Sequence, residues 1–177
     1  VFFLPNLIGG IVLGYTWQSM INAVLANYDQ TIVADSRFGY AGLVMLINWQ
    51  LIGYMMIIYI AGLQNVPPEL IEAAEIDGVS RWEMLRHVTI PMIMPSITIC
   101  LFLTLSNTFK IFDQNLALTD GAPGGETEMV ALNIVKTMFN RVGAEGVGQA
   151  KAVIFVVVVV VIAMFQLRAT RRREVEA

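Results

Sequence analysis

The run Asn65-Val-Pro-Pro-Glu-Leu-Ile-Glu-Ala-Ala-Glu-Ile-Asp-Gly-Val-Ser-Arg-Trp-Glu-Met-Leu-Arg-His-Val-Thr-Ile-Pro91 is the longest polar, charge-bearing stretch of the chain, and apolar sequence flanks it on both sides. Pro67 and Pro68 suit a helix start, where a missing N–H leaves no bond unmade and φ is already helical. Glu69, Glu72 and Glu75 load the following turns with negative charge, which the positive end of a helix dipole favours. Asp77-Gly78 ends that helix, since glycine accepts the left-handed conformation of a C-terminal cap. Ser80 is placed to cap a second short helix, with Glu83 three residues on in capping-box spacing. Pro91 and Pro95 punctuate the return to apolar sequence. The stretch predicts a short helix, a tight glycine turn and another short helix, held as a loop over 64–91 between two membrane spans.

Composition agrees with that setting. Of 177 residues, 56% are hydrophobic and 14% charged, against about a quarter charged in soluble domains, and mean hydropathy is +0.67. A net charge of −3 gives no basis for a nucleic-acid partner. Cys100 is the single cysteine, so neither a disulfide framework nor a cysteine metal site is available. His87 is the single histidine and lacks a second histidine or cysteine for a metal or catalytic set; it is expected to be solvated or to face a partner.

Upstream of the loop, residues 40–63 are uncharged and long enough to cross a bilayer, which takes about 20 predominantly apolar residues. Asn48, Trp49 and Gln50 lie near the middle of this span. Polar side chains there are costly against lipid, so Asn48 and Gln50 are expected to face protein or a water-filled path; a substrate path and hydrogen bonding between helices both fit. Asn27 to Phe38, with Asp29, Asp35 and Arg37, is a loop. Residues 3–25 make another span, starting or kinking near Pro5. Its Gly10-x-x-x-Gly14 either admits another helix closely or reflects the abundance of glycine in membrane helices. The chain opens Val-Phe-Phe-Leu-Pro5 inside apolar sequence without a charged start, so it is expected to be a fragment lacking an N-terminal part and not to begin with a signal peptide.

Downstream, residues 92–112 form the third span, whose end is polar. Asn107, Lys110, Asp113 and Gln114 fall at i, i+3, i+6 and i+7 and so share most of one helix face. A charge at mid-bilayer costs about 2.5–3.5 kcal/mol on insertion scales, a penalty that snorkelling lowers near a helix end. Asp113 is close enough in sequence to pair with Lys110, so the face is an interfacial salt pair or a polar lining at the outer mouth of a transport path. The segment 113–149 holds a turn cluster at Asp120, Gly121, Pro123, Gly124 and Gly125, then an amphipathic helix from Thr127 to Asn140 with Met129, Leu132, Val135, Met138 and Phe139 on one side. Gly143, Gly146 and Gly148 predict a further break before the last span, 150–167, which is charged only at Lys151. Arg168, Arg171, Arg172 and Arg173 then mark the C-terminus as cytoplasmic, and Arg81, Arg86 and His87 put the loop 64–91 on the same side. Residues 27–38 and 113–149 fall outside.

The order Glu72-Ala73-Ala74, three residues, Gly78, nine residues, Val88, one residue, Ile90-Pro91 resembles the EAA loop of ABC-importer permeases. The family usually has Ile at the position of Val88 and Leu at that of Ile90, and both departures keep an apolar side chain. Asp77-Gly78, Trp82, the run Phe109-Lys-Ile-Phe-Asp113 and Leu118-Thr119 before the Gly/Pro turn resemble the carbohydrate branch. That branch commonly carries a Thr-Gly-Gly-Gly-Pro-like segment where this chain has Asp120 and Ala122. The segments after the loop, with the Arg-Arg-Arg-Glu-Val-Glu tail, look like the first of the two permeases in sugar or glycerol-phosphate systems.

The resemblance implies an all-α, polytopic helical bundle of the type I ABC importer transmembrane domain, multi-pass in the bacterial cell membrane, with further spans upstream. It implies a second permease subunit, an ATPase homodimer or paired ATPase subunits, and an extracytoplasmic solute-binding protein. Glu72, Ala73, Ala74, Asp77, Gly78 and Pro91 would form the ATPase-coupling loop. Two small alanines would let the ATPase approach the helix backbone, and Glu72 would offer a carboxylate to a basic residue there. Asn48, Gln50, Asn107, Lys110, Asp113 and Gln114 are the candidate substrate path. The chain lacks Gly-x-x-x-x-Gly-Lys-Ser/Thr, so it is not expected to be an enzyme or to hold a cofactor; ATP and magnesium would bind the separate ATPase. Two rivals belong to other classes. A non-transporting membrane scaffold or signalling subunit would tolerate loss of Glu72 and Gly78, and an ion-coupled transporter would need a charged relay deep inside the spans, where this chain has none.

Overall fold

A computed structural model of the chain describes residues 3–171. Arg172 and Arg173, used above for orientation, lie outside the described residues. The described secondary structure is helical: α1 Leu4–Leu7, α2 Gly10–Leu25, α3 Ser36–Gln64, α4 Pro68–Ile76, α5 Arg81–Met84, α6 Ile90–Met92, α7 Met94–Phe109, α8 Asp113–Leu118, α9 Val130–Phe139 and α10 Glu145–Arg171, with a 3-10 turn at Ala26–Tyr28 and a π turn at Leu85–Thr89. The chain divides into two compact units, residues 1–54 with 107–159, and residues 55–106 with 160–177. Among the described residues, two helices are long and apolar enough to cross a membrane, Ser36–Gln64 and Glu145–Thr170; a third crossing is reached if the bent pair Arg81–Met92 and Met94–Phe109 counts as one.

Several boundaries differ from expectation. Residues 3–25 are not one helix: Ile8 and Gly9 are extended, and α2 keeps 16 residues, fewer than the roughly 20 a straight crossing takes. The third span was expected to run from 92 to 112, but α7 ends at Phe109 and a new helix starts at Asp113. Gly146 and Gly148 lie inside α10, whose 27 residues absorb their low helix propensity; only Gly143, at φ 78°, makes the turn. On α9 the buried residues are Leu132, Ile134 and Thr137, while Phe139 is 77% exposed, because the helix packs along a face rotated from the one its apolar residues suggest.

In the first unit the core is Leu13, Ile32, Leu43, Leu46 and Leu118, with Trp17, Ile21, Ile47 and Met129 packed against it. Trp17 and Trp49 meet with ring centroids 5.6 Å apart. The glycine pair of α2 serves contact with α8. A Cβ on Gly14 would fall 2.5 Å from the Ala117 Cβ, and one on Gly10 would fall 2.9 Å from that of Asp113. Backbones therefore approach at a distance that only glycine permits. The side chain of Gln18 then reaches α8 and donates to the Leu118 carbonyl at 2.9 Å, satisfying an acceptor at the helix end. Asn22 accepts from the Ile32 amide at 2.8 Å and pins the loop before α3. Asp35 caps that helix through the Arg37 amide at 2.8 Å.

After α8 the chain turns about a fully buried asparagine. Asn115 donates to the Thr127 carbonyl at 2.9 Å and to Thr119 Oγ1 at 3.0 Å, and accepts from the Met129 amide at 2.8 Å. Thr119 and Thr127 are also buried, and their hydroxyl oxygens lie 2.9 Å apart. Asp120, a departure from the family-like pattern, has its carboxylate 2.8 Å from Lys136 Nζ, which also faces Glu128 at 3.6 Å. One side chain thus closes a turn whose backbone groups would otherwise be buried without partners.

Two outcomes follow. Gly14→Ala in the intact subunit is expected to lower stability by about 1–3 kcal/mol, the usual cost of overpacking, and Ala117→Gly in the same chain to recover part of it; thermal unfolding of the assembled protein reads both. Asn115→Leu preserves bulk but leaves the Thr127 carbonyl and Met129 amide without their partner, with a loss of about 1–3 kcal/mol per buried group. Proteolysis between residues 119 and 129 is expected to accelerate in that variant.

Candidate functional site

Residues 64–91 fold as the helix, turn and helix read from sequence. Pro67 precedes α4, with Pro68 in its first turn beside Glu69. At its end Gly78 takes φ 72°. The Gly78 amide donates to the Glu75 carbonyl and the Val79 amide to the Ala74 carbonyl, each at 3.1 Å. These are the two bonds of a Schellman cap, which needs the left-handed residue that glycine supplies. Ser80 and Glu83 form the full capping box on α5. Hydrogen bonds from the Ser80 hydroxyl and then its amide hold the Glu83 carboxyl below its ordinary range.

The next turn is wider. Pro91 offers no N–H to the carbonyl four residues back and its ring crowds that carbonyl, which favours the π turn at Leu85–Thr89. Pro95 repeats the omission four residues later. The chain bends by 70° at Ile93 between them.

This arrangement exposes Glu72, Ala73, Asp77 and Gly78 together. Ala74 departs from the expectation of an open pair of small residues: it is buried, at 7% exposure, and only Ala73 of the pair is exposed. Pro91 is half-buried in α6 and belongs to the bend, away from the glycine turn. Ile76 and Trp82 stand out at 86% and 69% exposure. Ile76 was missed in the sequence because an isoleucine at the end of an amphipathic helix is ordinarily a core residue. His87 is exposed, its Nδ1 3.1 Å from the Glu83 carbonyl.

The candidate path residues do not all converge. Gln50, Asn107, Lys110 and Gln114 line one cleft of about 100 Å³, together with Asn6, which sequence reading missed. Ile47, Leu51 and Ile111 complete its walls. Gln114 Nε2 donates to Gln50 Oε1 at 2.9 Å and so ties α8 to α3. Asn48 lies outside the cleft, and its side chain donates to the Val44 carbonyl of its own helix at 2.8 Å. Asp113 does not line the cleft either, since its Cβ faces Gly10. The expected salt pair does not form: among the described residues, ion pairs centre on Lys136, and none joins Lys110 to Asp113. The helix break after Phe109 takes the two residues off the common face that a continuous helix would have given them.

What the cleft offers chemically is four amide side chains, each able to donate and accept, and one ammonium. Among the described residues no carboxylate lines it. Its volume exceeds what a bound water needs and admits the hydroxyl groups of one edge of a larger solute.

A family model described as "Binding-protein-dependent transport system inner membrane component" matches residues 1–175. The chain is 46% identical, over 187 aligned positions, to the probable starch degradation products transport system permease protein AmyD of Thermoanaerobacterium thermosulfurigenes, covering 99% of this chain and 62% of that protein. It is 28% identical over 183 positions to the trehalose/maltose transport system permease protein MalF of Thermococcus litoralis, covering 98% of this chain and 61% of that one. The chain therefore spans about three fifths of the length of these relatives. A crystal structure of a bacterial ABC transporter involved in the import of the acidic polysaccharide alginate superposes with a TM-score of 0.80 at 21% identity, covering 97% of this chain and 64% of that chain, and the two share a fold. Helices throughout the described residues, apolar runs of membrane-crossing length and a family match over nearly the whole sequence converge: the chain belongs to the binding-protein-dependent transport system inner membrane component family and has the all-α fold of an ABC importer permease.

Proposed function

We propose that this chain is part of the permease subunit of an ATP-driven importer for sugars or oligosaccharides, set in the bacterial cell membrane with its C-terminus in the cytoplasm. The observation that carries the proposal is the knob of residues 68–84, its turn closed by a Schellman cap at the end of α4 and a capping box at the start of α5, which exposes Glu72, Ala73, Asp77 and Gly78 as well as the apolar Ile76 and Trp82. An isolated exposed carboxylate would be a weak handle, whereas Ile76 lies one turn on from Glu72, so a charge and a large apolar side chain share one face of α4 for a cleft on another protein. In this reading the partner is an ATPase, as a homodimer or a pair, that binds ATP and magnesium, and the knob follows its closure. A second permease supplies the other half of the path, and an external solute-binding protein delivers the solute.

The cleft at Gln50, Asn107, Lys110 and Gln114 forms part of the transport path. Amide side chains pair with sugar hydroxyls in either direction, and the weak single bonds allow release as well as entry. Sugar as the solute class is supported by the printed functions of the relatives, a starch-product and a trehalose/maltose permease. Membership in a binding-protein-dependent transport family does not favour the scaffold or ion-coupled alternatives.

The test uses the complete transporter in membrane vesicles with a panel of labelled oligosaccharides. Glu72→Lys is expected to leave membrane insertion intact while abolishing ATPase co-purification and ATP-dependent uptake. Gly78→Val has the same expected outcome by distortion of the turn, since nothing lies within 4 Å of a Cβ there and only the positive φ opposes it. Unchanged assembly and uptake in both variants would sink the coupling role. Gln50→Ala is expected to keep the ATPase bound but to slow uptake of the transported sugar by roughly 2- to 10-fold, the worth of one neutral hydrogen bond, while Asn48→Ala is expected to transport normally.

A further inference from the structure

Lys151 is the one charged residue of the run 150–167, and it is only half-buried. Its Nζ is held by two neutral acceptors, Asn133 Oδ1 at 2.7 Å and Thr137 Oγ1 at 2.9 Å. Among the described residues no carboxylate lies within 4.0 Å of it; Glu128 takes Lys136 as its cation and meets Asn133 at 2.5 Å. An ammonium has three donors, so one remains for a further acceptor. Lys151 also lines a groove of about 260 Å³ between α9 and α10 whose other walls are almost wholly apolar. On α10, Ile154, Phe155 and Val158 follow Lys151 at i+3, i+4 and i+7, and Val130 and Ile134 face them from α9. Seven residues at about 1.5 Å each carry this stripe roughly 10 Å from the ammonium along the helix. Ile154 is 64% exposed and Val158 45%.

We propose that the groove between α9 and α10 holds one acyl chain of an anionic phospholipid, with the phosphate on Lys151. A cation at one end of an apolar furrow on a membrane-length helix reproduces, in complement, the head-to-tail order of a lipid. The two neutral acceptors fix the ammonium without cancelling its charge. An entirely apolar groove would select no headgroup; a paired lysine would select none either. The site does not rest on the sugar reading.

The experiment titrates the purified, assembled transporter with phosphatidylglycerol or phosphatidylcholine and counts retained lipid by native mass spectrometry. The wild type is expected to retain one phosphatidylglycerol per copy of this subunit with about tenfold preference over phosphatidylcholine, Lys151→Arg to keep that preference and Lys151→Gln to lose it. Equal preference in the wild type and Lys151→Gln would overturn the proposal. A second readout places an indole in the groove by Ile154→Trp and measures quenching by brominated acyl chains. Stronger quenching by the phosphatidylglycerol form, abolished when Lys151→Gln is added, supports the site. An indole quenched by neither lipid, with Ile154→Cys forming a disulfide to a cysteine placed on a partner subunit, would show a protein helix in the groove and refute lipid occupancy.

Discussion

The first unit depends on how closely α2 and α8 approach. Without side chains at Gly10 and Gly14, the short helix Asp113–Leu118 lies against α2 with its Ala117 where a Cβ would otherwise stand. Everything carried by α8 is placed by that contact. Gln114 comes within hydrogen-bonding distance of Gln50, and Asn115 is buried at the root of the following turn. In an apolar setting close packing supplies much of the association between helices, because lipid competes for apolar surface as well as another helix does.

Polar side chains deal with the consequence of breaking helices in such a setting. Each break frees backbone groups that need new partners wherever they are buried. Asp35 caps the start of α3, Gln18 takes up a carbonyl at the end of α8, and Asn115 serves three groups of the turn that follows. The knob at 68–84 uses local devices instead, a Schellman cap and a capping box, so its shape is written into neighbouring residues. Pro91 and Pro95 then bend the chain between that knob and α7. The two prolines thus set the direction in which the capped knob leaves α7.

The part of the candidate site set by local chemistry was legible in residue order. The proline start, the glycine stop and the Ser80–Glu83 box each involve partners within five residues, and their geometry follows from spacing. The cleft was half legible. Gln50, Asn107, Lys110 and Gln114 were marked by their polarity within apolar runs, but Asn6 was not, because it lies near the start of the chain beside Pro5 with no periodic pattern to single it out. Asn48 and Asp113 carried the same polar signal and went elsewhere. The direction of Asn48 was decided by a carbonyl four residues back, and that of Asp113 by a helix break.

By itself, the sequence determined the class of the protein, its apolar runs and the knob, since hydropathy and short-range capping depend on composition and spacing alone. Tertiary structure decided where α7 ends, which helix the glycine pair admits, that Ala74 faces inward, that Lys136 rather than Lys110 takes the acidic partners, and that Lys151 sits over an apolar groove. Those outcomes depend on backbone approach between residues as far as 100 positions apart, such as Gln18 and Leu118, and no local pattern encodes which distant group will arrive.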